Sequence, residues 1–90
     1  MDSPRLFSSQ GLVLLLIALR PGITVKDLAE SLVLTYRTVW GLVGELRNAG
    51  LLKVRKEGRR HHYFVNLDAQ FPDPLLSHMT MGDVVNAIRP

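Results

Sequence analysis

The first third of the chain is dominated by one apolar run. Leu12–Leu19 is apolar without interruption, so in a helix it would cover almost the whole circumference, as in helices that are buried on more than one side. Ser8 or Ser9 is placed to cap this helix, and Ser3, which precedes a proline, is a competing earlier start. Pro21 and the glycine after it end the run. The pattern predicts a first helix that extends to the end of the apolar run.

Two further helices follow, each opened by a threonine. After a short strand at Ile23, Thr24 is predicted to start the second helix, with Asp27 in the position that completes a capping box. A brief turn separates it from a third helix, which Thr35 caps, and Gly50 fits the position just past its end. The buried faces are expected to be Val25, Leu28, Ala29 and Leu32 on the second helix and Val39, Leu42, Val43 and Leu46 on the third.

After Gly50 the period of the pattern changes to two. This alternation predicts two strands that form a hairpin with one buried face, and 57–59 is expected to turn the chain. The tip of the hairpin is basic. The alternating apolar positions are Leu52 and Val54 on the first strand and Tyr63, Val65 and Leu67 on the second, set between Lys53, Arg55, His62, Phe64 and Asn66.

The last quarter of the chain opens with a segment rich in proline. The sequence Phe71-Pro72-Asp73-Pro74 is not expected to form regular structure. A short last helix is predicted from Met81 to Ile88, with Thr80 and Asp83 as its capping box. All elements together predict an α+β fold, mostly α, with three helices, a two- or three-stranded sheet and a short C-terminal helix.

Composition narrows this picture further. The chain has 90 residues, which fits one small domain, and contains no cysteine, which excludes disulfides and thiolate metal sites. The apolar run of the first helix is too short for a transmembrane helix, which needs about 20 residues. Asp2 precedes that run and Arg20 follows it, which does not fit a secretion signal. We therefore expect a cytoplasmic protein without a membrane segment.

Charge is distributed unevenly along the chain. Between Arg20 and His62 lie nine basic and four acidic residues, a local net charge of +5, whereas the remainder carries −2. The peak is at 53–60, where five basic residues accompany one acidic residue. A local excess of this kind is an electrostatic footprint for a polyanion such as nucleic acid, although a basic run can also be only a solvated surface.

Two short helices joined by a turn form a helix-turn-helix unit, here preceded by a third helix and followed by a basic hairpin. In that order, four segments resemble ArsR/MarR-type transcriptional regulators. Thr24–Leu32 resembles their second helix, Thr35–Val39 the opening of their recognition helix, Glu45–Leu52 the junction of helix and wing, and Arg55–Tyr63 their wing.

The resemblance implies both a fold and a function. It places a winged helix-turn-helix DNA-binding domain at 1–67 and leaves 68–90 as a C-terminal tail. It also implies a DNA-binding transcriptional regulator, with a recognition helix at about 35–49 in the major groove and a basic wing at about 53–62 on the DNA backbone or in the minor groove. The residues expected to contact double-stranded DNA are Thr35, Tyr36, Arg37, Thr38, Trp40, Arg47, Arg55, Lys56, Arg59 and Arg60.

These residues are expected to have separate roles. Arg37, near the start of the recognition helix, can pair bidentately with guanine. The hydroxyls of Thr35 and Thr38, together with the amides at the helix start, favour a phosphate, and Arg47 lies farther along and is expected to contact the backbone. The four cations of the wing would meet the backbone or enter the minor groove.

Trp40 and two glycines depart from the usual composition of a recognition helix. Gly41 and Gly44 each cost about 1 kcal/mol of helix stability relative to alanine. One interpretation is that the glycines let the helix approach DNA closely while Trp40 contacts a thymine methyl group. The other is that Trp40 folds back onto the protein and the glycines accommodate packing.

The histidines and carboxylates do not form a recognisable reactive site. His61 and His62 are neighbours on a strand, so they point to opposite faces and do not jointly hold a metal ion within one chain. His61 is expected to lie near a phosphate or in solvent. The carboxylates are scattered and no phosphate-binding loop is present. We therefore predict a protein that is not an enzyme and holds no metal and no cofactor.

The apolar residues exceed what a core of about 60 residues can cover. We expect the first helix and the tail to form a two-fold homodimer interface, the alternative being a monomer whose tail covers its own first helix. The apolar residues of the tail are Leu75, Leu76, Met79, Met81, Val84, Val85 and Ile88.

Two other functions fit the same fold. The first is a winged-helix module for protein–protein interaction, in which Tyr36, Trp40 and Phe64 form the hot spot. The second is a non-specific chromatin or RNA-binding protein, which would bind unrelated sequences equally well.

Overall fold

The computed structural model describes residues 6–90. Four helices and a three-stranded antiparallel sheet confirm the predicted α+β winged-helix architecture. The Ser3 alternative for the start of the first helix lies outside the described residues. In chain order the elements are α1 (Ser9–Leu19), β1 (Ile23–Thr24), α2 (Val25–Leu32), α3 (Tyr36–Asn48), β2 (Leu52–Glu57), β3 (Arg60–Val65), a 3-10 turn (Pro74–Leu76) and α4 (Met81–Ile88).

The helices begin where the predicted capping residues stand. The hydroxyl of Ser8 accepts the N–H of Gly11 at 3.1 Å, and the hydroxyl of Thr24 accepts the N–H of Asp27 at 3.3 Å. Before α4, Thr80 and Asp83 form a full capping box. Each side chain satisfies an amide at a helix start that has no partner within its helix.

The two helices of the helix-turn-helix unit end in left-handed backbone conformations. Gly50, just past α3, has a φ of 79°, as the sequence predicts for that position. Val33, which ends α2, has a φ of 54° although it is β-branched, and this conformation is rare for such a residue. The turn between α2 and α3 therefore holds a strained and exposed valine.

The sheet has the order β1-β3-β2, so β3 lies in the middle. The hairpin pairs Glu57 with Arg60 and closes through a two-residue turn, where Gly58 has the positive φ that such turns need. The predicted alternation is confirmed as far as Val65. It is wrong for Leu67, which lies after the end of β3 and is half exposed, because the chain turns back there toward the tail.

The proline-rich segment is more ordered than the sequence predicts. Pro74 begins a 3-10 turn, and the carboxylate of Asp73 accepts the N–H of Leu75 at 2.8 Å. Proline suits the first position of a helical turn, because its missing N–H would have no partner there. The prediction that Pro74 lies outside regular structure is therefore wrong, since one 3-10 turn begins there.

One apolar core joins the helices to the inner face of the sheet. The predicted stripes of α2 and α3 lie in it, with Leu32 and Leu42 at its edge. From the tail, Met81 and Val85 are buried, and α4 packs on α1. These two residues are therefore covered within the chain itself, whereas Leu75 is 85% exposed.

The length and apolarity of a helix determine whether it could span a membrane. Within residues 6–90, no helix is both long enough and apolar enough to cross a membrane. The apolar α1 has 11 residues.

Candidate nucleic-acid interface

The outward face of α3 is set by its buried stripe. Val39, Val43 and Leu46 point into the core, so the opposite side of the helix, by its 3.6-residue period, carries Arg37 and Gly41. Both of these residues are exposed. The sequence prediction that Arg37 faces outward near the start of the helix is thus confirmed as a matter of geometry, while its contact with DNA stays a prediction.

The two threonines at the start of α3 bond to each other. Thr35 accepts the N–H of Thr38 at 3.1 Å and donates its own hydroxyl proton to the Thr38 hydroxyl at 2.9 Å. Both hydroxyls therefore help to fix the helix start. Both residues are exposed, and a phosphate contact from their hydroxyls stays a prediction.

Gly41 and Gly44 lie where an added side chain would touch nothing. Apart from the helix itself, a Cβ atom built at either position meets no atom of the described residues within 4 Å. The interpretation that these glycines accommodate packing within the chain is therefore wrong. They leave a strip of α3 on which the backbone is bare.

Trp40 leans toward the wing. Its ring meets the ring of His61 edge-on, with centroids 5.7 Å apart and planes at 82°. The side chain is still 47% exposed. Of the two interpretations of Trp40, the ring contact with His61 supports the one in which it folds back onto the protein, against the wing strand β3, while a contact of its exposed part with a thymine methyl group stays a prediction.

The one acidic residue of α3 lies on a different flank. Glu45 accepts a hydrogen bond from the side-chain amide of Gln10 at 2.7 Å, which directs it toward α1. The flank of α3 that carries Tyr36 and Trp40 is therefore left without an acidic side chain from this helix.

The register of the hairpin divides the wing cations between two faces. Lys56 pairs with His61, and Val54 pairs with the buried Tyr63, so these residues share the inner face toward α3. Arg55 pairs with His62 and lies on the outer face. The predicted wing contacts therefore do not form one surface.

Arg55 is engaged within the wing itself. Its guanidinium lies 5.4 Å from the centroid of the Phe64 ring, a cation–π distance, and its Nε is 3.7 Å from a carboxylate oxygen of Glu57. The prediction that Arg55 contacts DNA stays untested, but the structure directs this side chain away from α3.

His62 fastens the outer face of the wing to the loop before β1. Its Nδ1 lies 2.8 Å from the carbonyl oxygen of Gly22, which places the ring proton on Nδ1. Its Nε2 is 3.8 Å from a carboxylate oxygen of Glu57. The prediction that His61 and His62 point to opposite faces is confirmed, and within residues 6–90 no three histidine or carboxylate side chains are grouped as metal ligands.

A cleft of about 380 Å³ opens where α2, α3 and the wing meet. Its walls carry three cations and one carboxylate, and the amides at the start of α2 add partial positive charge. Lys26 was not among the predicted contacts, although its position just after the Thr24 cap could have indicated it. The residues that line the cleft are Thr24, Val25, Lys26, Asp27, Tyr36, Trp40, Arg59, Arg60 and His61.

Tyr63 lies beneath this surface and is fully buried. Among the described residues its hydroxyl has no hydrogen-bond partner. Burial raises the pKa of Tyr63 above its ordinary value of 10.0, and the nearby Arg47 guanidinium opposes that rise to a smaller extent. Arg47 therefore lies close enough to the inner face of the wing for its charge to act on the tyrosine.

Comparison with known proteins supports the fold and leaves the family open. No protein-family model matches the chain, and no curated protein sequence is significantly similar to it. Among solved structures, the chain is similar to MepR, a transcription regulator of the Staphylococcus aureus multidrug efflux pump MepA, with 20% sequence identity and a TM-score of 0.64. The match covers 90% of this chain and 56% of MepR, so the chain spans about half the length of that regulator. At this identity the likeness shows a shared fold, and that fold is the winged helix expected from the resemblance to ArsR/MarR-type regulators.

Proposed function

We propose that this chain is a DNA-binding transcriptional regulator without enzymatic activity, located in the cytoplasm with the DNA. The observation that carries the proposal is the cationic cleft in which the starts of α2 and α3 meet the tip of the wing. A surface of that sign fits a phosphate backbone, and its position beside α3 fits a helix lying in the major groove. The similarity in fold to a transcription regulator supports the same function.

The proposed base contact comes from α3. Arg37 is exposed on its outward face and has the length and geometry to pair with the O6 and N7 atoms of guanine. The bare strip at Gly41 and Gly44 would let the helix backbone come close to the floor of the groove. Trp40 has a smaller part in base recognition in this proposal than the sequence suggested, because its ring contacts His61.

The proposed backbone contacts come from the cleft and the wing. Lys26, Arg59 and Arg60 approach the same space from two elements, so one stretch of phosphates could contact all three. Lys56 shares the inner face of the hairpin with His61 and would add to them, and Arg47 would contact the backbone beyond the end of α3.

We also propose that two chains form a dimer through α1 and the tail. Exposed apolar side chains in the tail and at the end of α1 support this, above all Leu75 and Leu19. Two recognition helices related by a two-fold axis would address half-sites about 34–36 Å apart. Sedimentation at micromolar concentration tests this, and a species of the single-chain mass of 10.1 kDa would contradict it.

The salt dependence of duplex binding tests the main proposal. Each phosphate contact contributes about 0.9 to the slope of log affinity against log salt concentration. The double variant R59A/R60A should therefore flatten the slope by about 2 and weaken binding to all sequences. If the wild-type protein binds no duplex, or if its affinity is the same at low and moderate salt, DNA binding is contradicted.

A charge-matched control separates the cleft from net charge. The double variant R20A/R89A removes the same two positive charges, but neither residue lines the cleft. We expect it to retain most of the slope. If both double variants flatten the slope equally, the cleft has no special part and only the overall charge of the protein attracts DNA.

The protein-interaction alternative is favoured by two exposed aromatic residues. Tyr36 is 51% exposed and lies one helical turn from Trp40. However, Phe64, the third member of the expected hot spot, is on the outer face of the wing beneath Arg55, so the three do not form one cluster. Selection of bound duplexes from a random pool distinguishes the remaining cases: a palindromic motif indicates a dimeric regulator, and no motif indicates non-specific binding.

A further inference from the structure

The contact between Trp40 and His61 lies just below the tip of the wing. The inner face of β3 carries, in order toward the tip, Val65, Tyr63 and His61. Tyr63 belongs to the core, so His61 is the first inward position beyond it, and Arg59 follows two residues later. At a rise of about 3.3 Å per residue, the cations of the tip extend from this point by roughly 7 Å.

The wing is held on both faces at this level. On the inner face, the His61 ring meets Trp40 edge-on, an arrangement that aromatic pairs prefer. On the outer face, His62 is hydrogen-bonded to the carbonyl of Gly22. The buried Nδ1 of His61 has no hydrogen-bond partner among the described residues, so ring packing rather than hydrogen bonding holds the inner face.

We propose that Trp40 is a positioning residue, which braces His61 and thereby holds the wing at the angle to α3 that lets Arg59 and Arg60 reach the DNA backbone while α3 lies in the major groove. The inference rests on the proposed function and goes beyond it, because it assigns Trp40 to the geometry of the wing rather than to base recognition.

The physical reason lies in the shape of the hairpin. Two strands with a two-residue turn form a narrow hairpin, which is anchored in the core at Tyr63 and paired with β1 as far as His62. A small tilt at the anchor becomes a larger displacement at the tip. Trp40, which projects from α3 on the inner side, opposes a tilt toward the recognition helix, and the bond of His62 opposes a tilt away from it.

The brace itself can be tested without DNA, because Trp40 is the only tryptophan in the chain. In H61A the side of the half-buried indole that faces the wing becomes exposed. Acrylamide, a neutral quencher, should therefore quench the fluorescence of Trp40 about twofold more strongly. H61F keeps a ring at the position and should retain the wild-type value, as should the control H78A, which alters an exposed histidine of the tail. Unchanged quenching in H61A would overturn the proposal.

The consequence for DNA is tested on a duplex selected by the wild type. W40A and H61A should lose about tenfold in affinity near 0.1 M salt and flatten the salt slope by up to about 2, with base preference unchanged. H61F should restore both. Adding W40A to R59A/R60A should cause little further loss, because the cations that Trp40 positions are already absent.

Two results would overturn the inference or reassign it. A W40A variant with an altered base preference and an intact salt slope would make Trp40 a base-reading residue. If the wild type binds no duplex, the proposed function fails, but the brace is still decided by amide hydrogen exchange: faster exchange at 57–60 in W40A and H61A supports it, and unchanged exchange contradicts it.

Discussion

Helix α3 and the wing present opposite kinds of surface to solvent. On α3, Gly41 and Gly44 leave the backbone bare, and an added side chain would touch nothing. On the outer face of the wing, Arg55 is held by Phe64 and Glu57. On its outward face α3 therefore offers its backbone and the long side chain of Arg37, whereas the outer face of the wing offers a side chain that the fold already constrains. In the proposed complex, this difference separates close approach and base recognition from attachment to the backbone.

The largest effect is expected at Arg37 on the outward face of α3. Replacing Arg37 with alanine should weaken binding to the preferred duplex by about 10- to 100-fold and relax preference at one base position, since a bidentate contact to guanine discriminates by about 1–3 kcal/mol. Titration against duplexes that differ at single positions measures this.

Arg47 provides the control for that measurement. R47A should weaken binding to all sequences equally and reduce the salt slope by about 1, as for a single phosphate contact. If R37A behaves like R47A, with no change in base preference, the outward face of α3 binds the backbone and does not recognise bases.

The bare strip should show opposite effects on stability and binding. G41A/G44A should raise the free energy of unfolding by about 1–2 kcal/mol, since alanine favours a helix and the new methyl groups meet open space. Denaturant titration measures this. The same variant should bind the preferred duplex more weakly, because the methyl groups lie between the helix backbone and the groove. Unchanged affinity would show that the helix does not approach DNA along this strip.

A third helical glycine gives the matched control. At Gly82 in α4, an added Cβ would lie 3.0 Å from the carbonyl oxygen of Leu67, which is closer than normal packing allows. G82A should therefore bring no gain in stability. A gain as large as that of G41A/G44A would mean that helix propensity alone, and not the open space, accounts for the result.

The smallest effect is expected on the inner side of the wing. Y63F removes a buried hydroxyl that has no partner among the described residues, so the free energy of unfolding should rise by about 1 kcal/mol. The exposed Tyr36 serves as the control, and Y36F should change stability little. Lower stability in Y63F would show that the hydroxyl is hydrogen-bonded in solution.

The raised pKa of Tyr63 also predicts that the stability of the wild type and of Y63F depends differently on pH. Because the folded state holds the phenolic proton more tightly than the unfolded state, this group does not alter stability with pH below about 10, the pKa of the unfolded state. Above that pH, stability should fall in the wild type, and Y63F should lose less. Equal losses in both proteins would contradict the assignment.

The sequence alone predicts much of this fold, because the signals are local. At the starts of α2, α3 and α4, the hydroxyl of a threonine accepts the backbone N–H three residues later. The change in the apolar period after Gly50 marks the hairpin. The errors at Leu67 and Pro74 have a local cause too, since the turn after β3 and the Asp73 cap compete with the longer pattern.

The candidate site was less predictable, because it depends on how the hairpin lies against α2 and α3. The contact of Trp40 with His61 and the place of Lys26 in the cleft join residues far apart in the chain. One feature could have been predicted: the alternation that separates His61 from His62 also separates Arg55 from Lys56, which the charge pattern alone does not show.

The position of β2 has a consequence for how the wing can be engineered. In the order β1-β3-β2, this six-residue strand is the longer of the two edges of the sheet, the other being the two-residue β1, and such edges can pair with another chain and aggregate. Three cations of β2 oppose such pairing by their charge, namely Lys53, Arg55 and Lys56. The turn cation Arg59 lies outside it, so charge can be removed at the tip while the protection of the edge against self-association is kept.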